Sequence, residues 1–335
     1  MKVLLYTEME KKVRKSGLGK AIEHQKTALN NEGIEWTTNP KDDYDIIHIN
    51  TWFLKSYRMA KKAHKKGKKV VYHAHSTQED YKNGFVFSKL TAGFVKWWLV
   101  KCYSQGDIIV TPTPYSKRLL ENYKGLEKKK IVAISNGIDM TLFQKNKERG
   151  EEFRKKYGYT KDDKVIIGIG LYIRRKGIVD FVELARRLPE YKFIWFGYSN
   201  PKAATQDVRR AVSTKLPNLT WAGYVEQDKI RDAMSGADLY LFPTLEETEG
   251  IPIIEACATK QNAIIRDIPI FEGWLEDGKN VYKAKDVDEF EEKIKGVLEG
   301  KLPSLVDEAY NVAIERDLKT VGKQLKAVYE EVLKK

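Results

Sequence analysis

The chain has 335 residues, and with 42% hydrophobic and 32% charged residues its composition excludes a disordered chain. Its length suits two domains of about 100–200 residues each. Cys102 and Cys257 match no disulfide or metal spacing, which indicates a reducing compartment. The sequence shows neither a signal-peptide pattern nor an apolar run of about eighteen residues, so we expect neither secretion nor a membrane span.

The net charge of +13 arises in the N-terminal part. Residues 1–146 hold 27 Lys+Arg against 14 Asp+Glu, whereas residues 147–335 hold 33 of each. Lysines cluster within 61–69 and at 128–130. A basic surface of this kind predicts a polyanionic partner, either nucleic acid or an anionic bilayer, and a solvated lysine-rich surface is the alternative.

Strand-like and helix-like stretches alternate along the chain, which predicts an α/β fold with parallel sheets. Predicted strands cover 3–7, 45–49, 69–73, 107–111 and 130–134, and after a charged linker 165–169, 192–196, 219–221, 239–242 and 263–266. Predicted helices in the first half cover 18–31, 53–66, 85–104 and 114–123, and an amphipathic helix ends the chain. We therefore expect two doubly wound, Rossmann-like domains in tandem, residues 1–146 and 147–315.

In each of the two predicted domains, a glycine-containing loop follows the first strand. Gly17 and Gly19 open a helix, where exposed backbone amides can bind phosphate, although a plain tight turn fits as well. In the second domain Arg175 and Lys176 precede Gly177, and their cations could neutralise a diphosphate without a metal. A solvated basic turn is the alternative for this second loop.

Glu247 and Glu255 are separated by seven residues, which include a Gly-x-Pro turn at Gly250. They follow a short apolar run that predicts a buried strand, so both should lie near the carboxyl edge of a parallel sheet. Two carboxylates there suit the hydroxyls of a sugar and of a ribose. An acidic first helical turn is the alternative explanation.

His73 and His75 follow the third predicted strand of the first domain. No further ligand is spaced to complete a metal site with them, so His75 is better suited to hydrogen bonding or proton transfer. His24, His48 and His64 are predicted to be structural. The stretch 85–103 carries Trp97 and Trp98 among lysines, and it predicts either an interfacial membrane helix or a core helix.

The sequence resembles the retaining GT-B glycosyltransferases of family 4 (GT4) in three features taken together. These are the segment Asn136-Gly137-Ile138-Asp139, the Arg175-Lys176-Gly177 loop and the Glu247/Glu255 pair. Within that family, residues 15–25 and 75–83 resemble bacterial enzymes that glycosylate diacylglycerol lipids, nearest to those that add the second hexose. The resemblance implies a GT-B fold whose two domains face a cleft, with the C-terminal helix 316–335 returning to the first domain.

The resemblance also implies a role for each site residue. Glu247 would hold the hexose and His75 would lie at the reacting centre, the pair predicted as catalytic. The predicted donor-binding residues are Gly17, Gly19, Arg175, Lys176, Tyr224, Val225, Glu249, Gly250, Ile251 and Glu255. The predicted acceptor and membrane residues are Lys89, Lys96, Trp97, Trp98 and Lys101. The sequence departs from the family where Thr248-Glu249 replaces the usual Gly-Phe, and Leu171 replaces an arginine near the phosphate loop.

The predicted function is therefore transfer of glucose or galactose from a UDP-sugar to a membrane glycolipid such as monoglucosyl-diacylglycerol, without a metal cofactor. The enzyme would be cytoplasmic and peripheral on the inner face of the cell membrane. Diacylglycerol itself or another cell-envelope saccharide is the alternative acceptor. An inactive nucleotide-binding subunit and a nucleic-acid-binding protein are further alternatives, and the latter is disfavoured because no nucleic-acid reading motif is present.

Overall fold

The computed structural model describes residues 1–13, 16–82, 88–200 and 204–334, which form two compact units. The first unit holds the described residues up to Asp139 together with those from Arg316 onward, and the second begins at Met140. The segment 140–146 belongs to the second unit, in which the Asn146 backbone N–H donates to Ser235 Oγ at 3.2 Å.

The first unit is built on a six-stranded parallel sheet of order β2-β1-β3-β4-β5-β6. Its strands are β1 Lys2–Tyr6, β2 Glu35–Thr37, β3 Ile46–Ile49, β4 Lys69–His73, β5 Ile108–Thr111 and β6 Lys130–Ala133. Its helices are α1 Glu10–Val13, α2 Gly17–Asn31, α3 Leu54–Lys65, α4 Gln78–Lys82, α5 Ser88–Tyr103 and α6 Pro114–Glu121, and the C-terminal helix α14, Leu318–Lys334, belongs to the same unit.

A hydrophobic core covers each face of this sheet. On one face α14 packs beside α2, and its residues Leu318, Val321, Leu325 and Val328 join apolar side chains of β1 and β5. On the other face α3 and α5 cover the sheet. The C-terminal helix therefore completes the first core, which confirms the predicted return of the chain to the first domain.

The second unit contains another six-stranded parallel sheet, of order β12-β11-β10-β7-β8-β9. Its strands are β7 Val165–Ile169, β8 Lys192–Phe196, β9 Leu219–Gly223, β10 Leu239–Phe242, β11 Ala263–Arg266 and β12 Tyr282–Ala284. Its helices are α7 Lys147–Tyr157, α8 Ile178–Arg187, α9 Gln206–Val212, α10 Gln227–Gly236, α11 Ile251–Ala258, α12 Val287–Leu298 and α13 Val306–Ile314. Two doubly wound parallel sheets confirm the predicted fold class.

Strands β2 and β12 are absent from the sequence-based prediction. Each has only three residues and lies at the edge of its sheet, so it forms backbone hydrogen bonds on one side only. In β2 no residue is buried, and a short exposed strand leaves no apolar pattern in the sequence.

No helix in the described part of the chain is long and apolar enough to cross a membrane.

Candidate active site

The strand order of the second sheet reverses between β7 and β10, because the chain leaves β7 toward β8 on one side and later returns to β10 on the other. In open parallel sheets the carboxyl ends of two such strands border a ligand-binding crevice. The loop after β7 carries Arg175 and Lys176, and the loop after β10 carries Glu247. Topology thus brings the two predicted donor motifs to the same sheet edge.

Glu247 is paired with both predicted phosphate-binding cations. Lys176 Nζ donates to Glu247 Oε1, and Arg175 Nη1 lies 3.8 Å from Glu247 Oε2. The Glu247 side chain is only 8% exposed, and Thr244 Oγ1 lies 3.3 Å from Glu247 Oε1. Glu247 is therefore a counter-charge for both cations.

The ionisation of Glu247 follows from these contacts. Burial alone would raise the pKa of its carboxyl group, but Lys176 and Arg175 outweigh burial and hold the pKa below its usual range. Glu247 is therefore an anion at neutral pH, able to accept hydrogen bonds from hydroxyl groups.

The loop that carries the cations is fixed to the end of β10. The Leu245 backbone N–H and the Thr244 hydroxyl both donate to the Arg175 carbonyl oxygen, at 2.7 and 3.0 Å, and Arg175 Nη1 donates to the Glu246 carbonyl oxygen at 3.0 Å. Gly177 ends this loop with φ +72°, and a Cβ there would lie 2.0 Å from the Pro243 carbonyl oxygen.

Gly177→Ala is expected to lower the free energy of unfolding by more than about 3 kcal/mol, because left-handed strain and a backbone collision add together. Gly158→Ala is the matched control, since Gly158 has φ +73° with nothing within 4 Å of a Cβ. It should lose only about 1–2 kcal/mol. Urea unfolding of both variants checks this, and equal losses would show that close packing at Gly177 contributes nothing.

Helix α11 carries the second glutamate. Gly250, with φ +93°, precedes Ile251 and has no side chain to cap the helix. The first backbone N–H groups of a helix lack intrahelical partners and favour anions. Glu255 is buried and accepts a hydrogen bond from Gln227 Nε2 at 3.1 Å, whereas Glu249, which the sequence prediction also includes, is buried in the preceding loop.

Gln227 begins α10, directly after the turn that contains Tyr224 and Val225. Tyr224 is exposed and Val225 is half-buried. The hydrogen bond from Gln227 to Glu255 thus joins the turn predicted to flank the base to the glutamate predicted to bind the ribose. The sequence prediction omitted Gln227, since nothing in its local pattern indicates this contact.

In the first unit Gly17 and Gly19 lie in the first turn of α2, as their spacing predicts. Ser16 caps the helix, with its hydroxyl accepting from the Gly19 N–H at 3.4 Å. A Cβ at Gly17 would meet nothing within 4 Å, so the surface is open there.

His75 follows β4 and is half-buried. Its ring stacks on His73 with centroids 3.8 Å apart, and its Nε2 lies 2.9 Å from Asn50 Oδ1. Burial lowers the pKa of His75 to about 3, and burial also lowers the pKa of His48 to about 3. Both rings are therefore neutral near pH 7.

His48 lies beside His73, with His48 Nε2 3.2 Å from His73 Nδ1. The sequence prediction gave His48 no partner because β3 and β4 become neighbours only in the folded sheet. No group of three or more His, Cys, Asp or Glu side chains in the described ranges is arranged to hold a metal ion.

Helix α5 has a buried face and an exposed face. Ala92, Val95, Leu99 and Cys102 are buried, and half-buried Trp98 donates its indole N–H to the Trp52 carbonyl oxygen at 2.7 Å. Phe94 and Trp97 are 66% and 53% exposed. Of the predicted lysines, Lys96 lies over the Tyr123 ring and Lys101 over the Trp97 ring, and the side chain of Lys89 lies outside the described residues.

Two Rossmann-like units with a Glu-x7-Glu segment and a paired basic loop define a glycosyltransferase of GT-B architecture. The family model for glycosyl transferases group 1 matches residues 150–316, and that for glycosyltransferase family 4 matches residues 35–142. Over 334 residues the chain is 40% identical to the processive diacylglycerol alpha-glucosyltransferase of Acholeplasma laidlawii, covering 100% of this chain and 99% of the relative. The chain therefore belongs to glycosyltransferase family 4, the family that the sequence predicts.

Other relatives agree on the family. The alpha-galactosylglucosyldiacylglycerol synthase of Streptococcus pneumoniae is 23% identical over 300 residues, which cover 88% of this chain and 76% of the relative. Anabaena HepE, solved with UDP and glucose, matches with a TM-score of 0.78 at 17% identity, over 98% of this chain and 99% of its own. Sucrose-phosphate synthase of Thermosynechococcus elongatus matches with a TM-score of 0.83 at 14% identity, over 99% of each chain. At such identities the two structures establish the fold.

Proposed function

We propose that this glycosyltransferase transfers glucose from UDP-glucose to monoglucosyl-diacylglycerol with retention of the anomeric configuration. The observation that carries the proposal is the full-length similarity to the diacylglycerol glucosyltransferase of Acholeplasma laidlawii. UDP-glucose has an α-linked sugar, so an α-glucosyl product, as the relative's name states, corresponds to retention.

The groups around Glu247 support a donor site in the second unit. An anionic carboxylate accepts two or more hydrogen bonds, which suits the vicinal hydroxyls of a hexose. Arg175 and Lys176 would bind the diphosphate, and the start of α11 adds backbone N–H groups near Gly250 and Ile251. We assign Glu255, held by Gln227, to the ribose and the Tyr224–Val225 turn to the base.

The transfer step needs positive charge where the nucleotide leaves. The bond between the anomeric carbon and the diphosphate oxygen breaks, and the acceptor hydroxyl oxygen bonds to that carbon on the same face. The acceptor proton passes to the leaving diphosphate oxygen, and the product nucleotide is UDP. Arg175 and Lys176 stabilise the charge that develops on UDP, so the proposed step requires no metal.

The first unit supplies the acceptor side in this proposal. His75, neutral at working pH, would hydrogen-bond a sugar hydroxyl, and Gly17 leaves open surface at the start of α2, whereas Gly19 is buried. Beside the exposed aromatic side chains of α5, helix α3 exposes a row of cations, namely Lys55, Arg58, Lys61, Lys62 and Lys65. We infer peripheral attachment of this unit to the anionic inner face of the cell membrane.

Trp97→Ser is expected to reduce the fraction bound to anionic vesicles severalfold, because Trp97 is an exposed indole on a basic unit. The matched control is Tyr198→Ser, since Tyr198 is an equally exposed aromatic residue of the second unit. Trp98 is unsuitable because its indole is half-buried and hydrogen-bonded. Co-sedimentation with phosphatidylglycerol vesicles checks this, and equal binding by both variants would remove α5 from the membrane surface.

The function itself is tested with purified protein, labelled UDP-glucose or UDP-galactose, and vesicles with monoglucosyl-diacylglycerol or diacylglycerol, read by thin-layer chromatography. We expect UDP-glucose to glucosylate monoglucosyl-diacylglycerol. Product from diacylglycerol alone would support diacylglycerol as the alternative acceptor, in line with the name of the relative, a processive diacylglycerol alpha-glucosyltransferase. Transfer from UDP-galactose only, or no lipid product, would overturn the proposal.

A further inference from the structure

Six polar side chains form a connected network inside the first unit. They come from four elements and the segments after β3 and β4, namely Gln25 in α2, His48 in β3, Asn50, His73 in β4, His75 and Tyr329 in α14. All except half-buried His75 are buried. Because buried polar groups need hydrogen-bond partners, the hydrogens in such a network are constrained by their neighbours.

The proton of His75 is set by Asn50. Asn50 Oδ1 lies 2.9 Å from His75 Nε2, and a carbonyl oxygen can only accept. His75 Nε2 therefore carries a hydrogen. The pKa of His75, lowered to about 3 by burial, keeps the ring neutral, so its Nδ1 has a free lone pair.

The orientation of Asn50 is set in turn by Gln25. Gln25 Nε2 donates to Asn50 Oδ1 at 3.0 Å, and Asn50 Nδ2 donates back to Gln25 Oε1 at 2.9 Å. The second amide hydrogen of Gln25 points to His73 Nδ1 at 2.8 Å. His73 Nδ1 is thus an acceptor and its hydrogen lies on Nε2, an atom without a hydrogen-bond partner in the described part of the chain.

The far end of the network lies in the C-terminal helix. His48 Nε2 lies 3.2 Å from Gln25 Nε2 and 3.2 Å from His73 Nδ1, so as an acceptor it shares the second amide hydrogen of Gln25. The hydrogen of His48 then lies on Nδ1, which is 2.6 Å from the Tyr329 hydroxyl oxygen. The network therefore runs from Tyr329 through His48 to the Gln25 amide, and from there through Asn50 to His75.

We propose that Tyr329, His48, Gln25 and Asn50 are positioning residues that hold His75 in the tautomer with hydrogen on Nε2, so that unprotonated Nδ1 faces the substrate. An acceptor nitrogen can bind a sugar hydroxyl, which donates, but not a diphosphate oxygen, which has no hydrogen to give. His75 is thereby a hydroxyl-recognising group. The inference rests on the proposed function only in assigning His75 to the sugar.

Imidazole 15N chemical shifts of the histidine-labelled protein near pH 8 test the tautomer without any substrate. For His75 we expect a protonated Nε2 and an unprotonated Nδ1. A protonated Nδ1 in the unmodified protein would overturn the proposal. This measurement also decides the matter if a variant fails to fold.

Two amide-to-carboxylate variants separate positioning from packing. Gln25→Glu removes the amide N–H that orients Asn50 among the described residues. A carboxylate accepts from the Asn50 N–H in either orientation of that amide, so the His75 hydrogen should be shared between Nε2 and Nδ1. Asn50→Asp leaves only acceptor oxygens beside His75 and should keep the hydrogen on Nε2. Both variants place a carboxylate in the same network, and an identical His75 tautomer in both would contradict the proposal.

Kinetics provide the second readout. The kcat for glucose transfer should be about tenfold lower in Gln25→Glu than in Asn50→Asp. Tyr329→Phe should lower kcat about threefold to tenfold with little change in the KM for UDP-glucose. Its control is Tyr282→Phe, which removes a partly buried hydroxyl hydrogen bond, to the Pro303 carbonyl oxygen, and should leave kcat unchanged. If the unmodified protein transfers no glucose, the proposed function fails, whereas the tautomer measurement stands independently.

Discussion

Glu247→Gln is expected to lower kcat for glucose transfer by about 10²–10³-fold, because the glutamine keeps the shape of the side chain and loses its charge. Positive charge builds at the anomeric carbon as a glycosidic bond breaks. An anion that holds the hexose hydroxyls stabilises that charge, and the cations beside Glu247 keep it ionised. Radiolabelled glucose transfer under saturating UDP-glucose checks the value of kcat.

UDP binding should respond differently in the same variant. Lys176 and Arg175 lose their counter-charge when Glu247 becomes neutral, and a bound diphosphate can supply it. We therefore expect a lower melting temperature for the free protein and a larger increase on UDP addition than in the unmodified protein. Unchanged kcat would remove Glu247 from the reacting centre.

Glu276→Gln provides the control for this experiment. Glu276 lies in the same unit, is exposed and pairs with Lys279 at 3.1 Å, so its replacement makes the same chemical change at a surface ion pair. Surface pairs contribute about 0–1 kcal/mol, and neither kcat nor UDP binding should change. Equal loss of activity in both variants would indicate a general effect of lost charge.

The placement of Arg175, Lys176 and Glu247 at one sheet edge could be predicted from the sequence because both motifs are local. Arg175 and Lys176 follow one buried strand and Glu247 follows another. Because the alternating α/β pattern predicts a parallel sheet, the carboxyl ends of both strands lie at the same edge. The actual ion pairs depend on the order of β7 and β10, which are neighbours although α8, α9 and α10 separate them in sequence. That order is a property of the folded sheet.

The histidine network was not predicted, because its contacts also depend on which elements become neighbours in the folded chain. Gln25, His48, His73 and Tyr329 lie in four different elements, and the contact between His48 and Tyr329 spans 281 positions. In the sequence His48 stands within an apolar strand and Tyr329 within an amphipathic helix, where each looks like an ordinary core position. Only the packing of α14 in the first unit reveals their partnership.

Acidification from pH 6.5 to 5.5 is expected to destabilise the first unit by about 4 kcal/mol, about 1 kcal/mol for each of the four histidines whose pKa is lowered, namely His24, His48, His73 and His75. Burial lowers the pKa of His48 to about 3 and that of His73 well below its usual range, and burial together with Lys20 lowers the pKa of His24 to about 4. In the unfolded chain each would have a pKa near 6.5.

The sign follows from proton uptake. Well above pH 6.5 neither state binds these protons and the stability is complete, whereas below that pH the unfolded chain takes them up and the folded unit cannot. Each of these histidines removes about 1 kcal/mol between pH 6.5 and 5.5 and about 1.4 kcal/mol per pH unit below that range, until the pH reaches its folded pKa. Urea unfolding at a series of pH values from 7.5 to 5.5 measures the slope, in a range above the usual pKa of carboxyl groups.

Two glutamine variants identify the groups responsible for this slope. His24 is buried and its Nδ1 lies 3.1 Å from the Asn136 carbonyl oxygen, a hydrogen bond that a glutamine amide can replace, so His24→Gln should reduce the slope by the contribution of one histidine. His64 is exposed, with Nε2 2.8 Å from the Gln105 carbonyl oxygen, and His64→Gln should leave the slope unchanged. Because both variants replace a ring nitrogen near a backbone carbonyl, they differ mainly in burial. A slope that is zero in the unmodified protein, or reduced equally by both variants, would contradict burial as its cause.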